Sequence, residues 1–480
     1  GSYFGTPAAP VTVLQGFGDA AKGTEVRYGR GVDLVEGRDD PAATPLIEAA
    51  YLRPAADSPE RGLRGEYVRS PDLSGTPALV RTDAQIGFRW DRGSPTDNLL
   101  ARGEAAPGQG IPNDGFSIRW SGQLLPPVSG RYRIEAAADD GYRLYIDGKP
   151  VLDHWTRSDR MRGDGIELDL EAGRAYDLRL EYFDAERDAG VRLGWRMPGA
   201  KPPFEEALDA ARSSDVVVFV GGLTGDVEGE EMTVNYPGFA GGDRTDLRLP
   251  ATQRSLLEAL QATGKPVVMV LTGGSALAVD DSKLGAVLMS WYPGQRGGTA
   301  VGQALFGEVN PGGRLPVTFY TADQQMPAFD DYRMEGRTYR YFRGTPLYPF
   351  GHGLSYTRFD YGKLRLDAPR VAANGTLKVE VDVSNAGKRA GDEVVQLYVR
   401  RLQAQAGEAQ QNLRGFQRVH LAPGERRTVT FELDAQQALR QFDEAGGAYA
   451  VPAGLYEVRV GGSSADARVH GRFEVEAARD

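Results

Sequence analysis

Two hydrophobic textures alternate along this 480-residue chain, which is too long for one compact core and should divide into two to four domains. From about 203 to 350, apolar runs of strand length alternate with helical patterns. Residues 204–212 are amphipathic and 216–220 form an apolar run. Pro250 opens a helix carrying Leu256, Leu257 and Leu260, with Gly264 as its stop. Residues 267–271 and 286–291 are further apolar runs, and 299–306 is a helix closed by Gly307. Continuous short apolar strands separated by helices predict a buried parallel sheet, so this block is expected to be an α/β sandwich with 216–220 as a buried strand. Residues 61–199 change to period two, with Tyr132, Ile134 and Ala136, then Tyr142, Leu144 and Ile146, and Asp147-Gly148 as a two-residue hairpin turn. Four of the five tryptophans, Trp90, Trp120, Trp155 and Trp195, lie there. This is the pattern of an all-β insertion.

The residues ahead of the insertion return to the first texture, with a helical pattern at 11–20 and a strand expected at 25–28. The fold class that follows is multidomain α/β plus all-β: an α/β sandwich domain interrupted by an inserted β-sandwich, since surface loops accept long insertions at small entropic cost. From about 360, Leu377, Val379, Val381 and Val383 alternate, and 394–399, 429–433 and 456–460 supply further short strands, which predicts a second small β-sandwich. The boundaries read from these textures are 1–60 with 200–355, then 61–199, then 356–480.

Composition narrows the function. The formal net charge is −10, which opposes a nucleic-acid surface because phosphate neutralisation requires Lys and Arg in excess. There is no cysteine, and the four histidines, His154, His352, His420 and His470, lack the spacing of a helical metal pair, so neither a metal nor another cofactor is expected. No run of about 18 apolar residues occurs, so no membrane partner is expected, and the first residues resemble neither a signal core nor its basic flank. The chain opens as if inside a domain, which predicts a preceding portion.

The carboxyl cluster Glu228-Gly229-Glu230-Glu231 follows the apolar run 216–220, and the end of a strand is where an open α/β sheet places its chemistry. In an extended loop Glu228 and Glu230 would share one side and Glu231 the other.

Taken together, several strings resemble glycoside hydrolase family 3: EGEEM from Glu228, GGDRTDLRLP from Gly241, WYPGQRGG from Trp291, GEVNPGGRLPVTF from Gly307, GRTYRYF from Gly336 and PFGHGLSYTRFDY from Pro349. The insertion resembles the β-sandwich domain of anthrax protective antigen, through GLRGEY from Gly62, the segment from Phe116 to Gly148 and LEAGRAYDLRLEYFD from Leu170. The last part resembles a fibronectin type III-like domain. The resemblance implies a retaining exo-β-glycosidase, of β-glucosidase or β-xylosidase type, acting on an oligosaccharide or aryl β-glycoside. It implies a nucleophilic Asp on an N-terminal barrel domain that this chain lacks, a periplasmic or secreted location, and an isolated chain without activity.

By the same resemblance Glu230 is the general acid/base. Glu231 stands where the family has a glycine, so Glu228 and Glu231 remain rivals. Asp243 and Arg244 are expected to form a supporting ion pair. Trp291 and Tyr292 are candidate subsite aromatics, with core packing as the blander role; Tyr339 and Tyr341 are read the same way. His352 reads as a turn residue. Asp139-Asp140 is two ligands at most of the six to eight oxygens that calcium takes, and a turn role is expected there. The competing functional class is a noncatalytic carbohydrate-binding or adhesion module.

Overall fold

The structure is a computed structural model that describes residues 9–36, 44–97, 110–158, 160–229, 234–322, 326–328, 330–405, 407–443 and 446–477. The chain divides into two compact units, residues 29–210 and residues 1–28 with 211–480.

The unit 29–210 contains the β-rich segment and, at its end, most of helix Pro203–Arg212. Strand Phe116–Leu124 lies between Leu63–Val68 and Tyr176–Asp184 in the larger sheet, and Ala189–Arg196 lies between Gly87–Asp91 and Gly130–Asp139 in a four-stranded sheet. Alternation places Phe116, Ile118, Trp120, Tyr132, Ile134, Leu180 and Tyr182 between the sheets, all fully buried. Each such side chain contributes roughly 1.5–3 kcal/mol through burial. Strands Gly141–Ile146 and Lys149–His154 are joined through Asp147-Gly148, at φ 49° and 75°, as the two-residue turn requires. The sheet starts earlier than the texture break at 61: Leu52–Arg53 pairs with Gln123 and Leu124, and Leu46 bridges Gly194. A two-residue strand is too short to carry a period. Asp140 takes the turn role expected of it, its carboxylate accepting the Ser158 and Ala185 N–H groups, each at 2.7 Å.

In the other unit, Val217–Gly222, Val267–Thr272 and Ala286–Met289 form a parallel sheet in that order, with Val217 opposite Val267 and Val268 opposite Ala286. Phe219 and Met269 are buried, and helix Ala251–Gln261 begins directly after Pro250 and buries Leu256, Leu257 and Leu260. The opposite face corrects the expectation of a buried strand: Val216 is 52% and Val220 47% exposed. An apolar run encodes the capacity for burial on both faces; whether both are covered depends on what packs there. Residues 25–28 do not form the expected strand, since no backbone among the described residues pairs with them. The run 286–291 stops as strand at Met289, since Trp291 takes a left-handed backbone with φ 56°.

Helix Val13–Ala20 lies against helix Gly297–Leu305 at backbone distance. A Cβ on Gly16 would sit 2.0 Å from the Gly298 carbonyl oxygen, and one on Gly302 would sit 2.2 Å from that of Gly16.

The terminal β-sandwich, from Phe359 onward, pairs a three-stranded sheet, Phe359–Leu366, Thr376–Asn385 and Arg426–Asp434, with a five-stranded one in which Gly391–Arg401 lies between Gly454–Ser463 and Asn412–Leu421. Val379, Val381, Val383, Val395, Leu397, Val458 and Val460 form its core. Among the described residues no helix is long and apolar enough to cross a membrane.

Candidate active site

The three parallel strands leave the sheet at their C-terminal ends through residues that bend the chain sharply. Gly222 has φ 120° and Gly273 φ 157°. A Cβ on Gly222 would meet the Thr272 carbonyl oxygen at 2.0 Å, so only glycine lets the first two strands part there. Gln253, buried on the helix that follows, locks this exit by accepting the Gly222 N–H and donating to the Gly222 carbonyl, both at 2.8 Å. The chain then turns at Thr224, whose carbonyl accepts the N–H groups of Val227 and Glu228 at 3.2 and 3.1 Å. Glu228 thus closes a turn, and strand-like alternation does not describe its direction.

That turn aims the Glu228 carboxylate at the end of the neighbouring strand. One oxygen accepts the Tyr292 hydroxyl at 2.6 Å and the Gly274 N–H at 3.0 Å; the other accepts the Ser275 hydroxyl and lies 3.4 Å from Arg244 Nε. Burial raises the Glu228 pKa, but the hydrogen bonds from Ser275, Tyr292 and Gly274 and the charge of Arg244 outweigh it, and the net result is a carboxyl below its ordinary range. Burial also pushes the Tyr292 phenol up, reinforced by its hydrogen bond to Glu228, so it stays a donor. Gly274 lies close under the same cluster: a Cβ there would be 3.1 Å from the Tyr292 ring, which would have to shift by a few tenths of an ångström, and 3.4 Å from the carboxylate.

Arg244 reaches this cluster from a tight hairpin, Phe239–Ala240 with Asp243–Arg244, turned by Gly241 and Gly242 at φ 62° and 95°. It does not pair with Asp243, as the sequence suggested. Neighbouring strand residues face opposite ways, so Asp243 is exposed while Arg244 turns inward to Glu228 and donates to the Ala276 carbonyl at 2.6 Å. Its Nη1 is buried with no partner among the described residues. Burial lowers the Arg244 pKa, against the charge of Glu228.

Glu230 and Glu231 lie outside the described residues. Of the aromatic candidates, Tyr292 belongs to the cluster through its hydroxyl, and Trp291 sets its ring edge-on to Phe319 at 6.2 Å. Tyr339 stacks on Phe350 at 4.4 Å and accepts the Leu413 N–H, which makes it a packing residue. His352 stacks on Tyr348, and burial lowers its pKa. Gln253, Gly274 and Ser275 were not singled out from the sequence. Two signals were there to find: a glutamine on a leucine-bearing helix face, and Gly273-Gly274-Ser275 directly after an apolar strand.

Residues 1–356 match the family model described as glycosyl hydrolase family 3 C-terminal domain, and residues 393–464 match a fibronectin type III-like domain. The chain belongs to glycoside hydrolase family 3. It is 34% identical over 475 residues to a xylan 1,4-beta-xylosidase of Xylanibacter ruminicola, an alignment covering 97% of this chain and 52% of that protein. It is 35% identical over 435 residues to a beta-glucosidase of Rhizobium radiobacter, covering 84% and 50%. Among solved structures, a beta-glucosidase from Kluyveromyces marxianus in complex with glucose is similar at a TM-score of 0.71 and 27% identity, over 99% of this chain and 56% of that one. The chain spans about half the length of these relatives.

Proposed function

We propose that this chain is part of a retaining exo-β-glycosidase, of β-glucosidase or β-xylosidase type, which releases terminal sugars from non-reducing ends. In this reading the chain supplies the general acid/base, Glu230. The nucleophilic Asp belongs to an N-terminal barrel of the same enzyme, and the insertion is a protective-antigen-type module. Retaining hydrolysis needs two carboxyls about 5 Å apart, one forming the glycosyl-enzyme bond and one protonating the departing oxygen before activating water. No cofactor enters that chemistry. Relatives named as beta-xylosidase and beta-glucosidase support the substrate class, and a similar protein named as a periplasmic beta-glucosidase supports a periplasmic or secreted location.

The observation that carries the residue assignment is the state of Glu228. A general acid must hold a proton near neutral pH. Glu228 is held ionised by Tyr292, Ser275, Gly274 and Arg244, and its oxygens are occupied. It is suited to anchoring the loop, which supports a proton donor further along the loop; between Glu230 and its rival Glu231, the family resemblance favours Glu230.

The test is kinetic and uses the complete enzyme. Glu230→Gln is expected to cut turnover of aryl β-glucosides or β-xylosides by about 10²–10⁴-fold. Azide should restore part of the rate for substrates with good leaving groups, because only the second, base-assisted step then needs replacing. Glu228→Gln is expected to lower activity without azide rescue. Full activity in Glu230→Gln, with azide-rescued loss in Glu228→Gln, would exchange the two roles.

A further inference from the structure

The terminal β-sandwich carries a cleft that the glycosidase reading does not use. It opens where the edge strand Asn412–Leu421 of one sheet comes alongside the edge strand Arg426–Asp434 of the other. The cavity measures about 390 Å³ and is walled by Arg414 and Phe416 on the first strand and by Glu432, Asp434 and Gln437 on the other side, over the buried Leu433. It is an open groove that would cover one face of a ligand.

Three features of the walls indicate what it takes. Phe416 is 66% exposed, an apolar ring left in water beside the cavity. Arg414 is the extra residue of a bulge, skipped between the pairs Leu397–Gly415 and Tyr398–Leu413, and it lines the cleft with Phe416, while Glu432 and Asp434 share a face of the facing strand by alternation. Neither the Arg414 nor the Glu432 side chain forms a hydrogen bond or ion pair among the described residues, although Lys378 lies across the ladder from Glu432. Most arginines of this domain do sit on a carboxylate, as Arg365 does on Asp382, Arg418 on Asp392 and Arg401 on Glu408. Partial burial, and after it the like charge of Arg340, lower the Arg414 pKa.

Charges of opposite sign on facing walls disfavour a strongly charged ligand. They suit a neutral one that both donates and accepts hydrogen bonds: carboxylates accept from hydroxyls and a guanidinium donates to them. An exposed aromatic ring adds a surface for a face of C–H groups. A pyranose combines these properties, with an apolar ring face and a rim of hydroxyls. From this geometry we infer that the Arg414–Phe416–Glu432 cleft is a saccharide-binding site for a neutral sugar. It is built entirely from the terminal sandwich, and the inference does not rest on the glycosidase reading.

Isothermal titration of the 480-residue chain with xylobiose and with cellobiose tests this. Saturable binding is expected at millimolar strength, as for one exposed ring and a few hydrogen bonds. Phe416→Ala and Arg414→Ala, both at exposed positions that leave the core intact, should each weaken it by at least about tenfold. Glu228→Gln should leave it unchanged. The inference is overturned by absence of binding up to about 50 mM of either sugar, which is weaker than any useful site, or by binding that survives both Phe416→Ala and Arg414→Ala. Binding lost in Glu228→Gln but kept in Phe416→Ala would place the sugar at the catalytic loop and overturn it as well.

Discussion

The half-buried carboxylate of Glu228 and the buried one of Glu393 are met by donors, whereas that of Asp184 is not. Glu393 accepts Arg314 at 2.8 Å and the Tyr361 hydroxyl at 2.7 Å, with both charged partners largely buried. Removing the cation would strand that carboxylate, so Arg314→Met should cost about 3–5 kcal/mol in chemical denaturation. A loss under about 1 kcal/mol would mean that the pair contributes little. Asp184 is fully buried, and neither of its oxygens has a hydrogen-bond partner among the described residues. Burial, then the charges of Asp140, Asp114 and Asp139, push its pKa up to about 7, and the Gly115 N–H offers slight relief without forming a hydrogen bond. A carboxyl with a raised folded-state pKa adds stability that is complete below the unfolded value of about 3.9 and is lost as pH climbs through the folded one. Asp184→Asn should therefore leave Tm near that of the parent at pH 4 and raise it increasingly up to about pH 7, levelling beyond. A Tm difference that ignores pH would remove this account. None of this was legible beforehand, because EYFD reads as one more alternating strand and only packing reveals which Asp has lost water.

Among the elements, most of the strands and helices named from periodicity fall within a few residues of those observed, for example 204–212 against Pro203–Arg212 and 267–271 against Val267–Thr272. The Asp147-Gly148 turn was legible for a stereochemical reason, since few residue pairs tolerate two positive φ values. The pairing of Val13–Ala20 with Gly297–Leu305 was not legible. Both segments read as helices, but the absence of side chains at Gly16, Gly298 and Gly302 acquires meaning only when two backbones meet. A Cβ at Gly298 would lie 1.9 Å from the Thr12 carbonyl oxygen. Gly298→Ala should destabilise by about 1–3 kcal/mol, measured by urea unfolding. An unchanged midpoint would show that the helices can separate freely. The exposed Val216 and Val220 belong to the same scale, since an apolar sequence cannot state which of its faces will be covered.

For the whole molecule, the controlling fact is that the chain spans about half the length of its relatives while matching them over nearly all of its own. If the nucleophile resides in the barrel, residues 1–480 alone should not hydrolyse aryl β-glucosides or β-xylosides, and adding the barrel portion should restore turnover. Measurable hydrolysis by the purified chain would contradict the division of the carboxyl pair. The hydrophobic period changes at about 61 and 199, whereas the compact unit runs from 29 to 210; the period follows from local backbone geometry and so is written residue by residue, while the limits of a compact unit depend on packing.

The sequence by itself determined the α/β and all-β textures, the interruption of one by the other, and the family, because period, turn chemistry and ordered motifs are local properties of the chain. Only the tertiary structure decided that Arg244 serves Glu228 and not Asp243, that Tyr292 spends its hydroxyl on that carboxylate, and that Asp184 is left without a partner. Those outcomes depend on distances between residues far apart in sequence and on which of them lose water, and neither quantity exists until the elements pack.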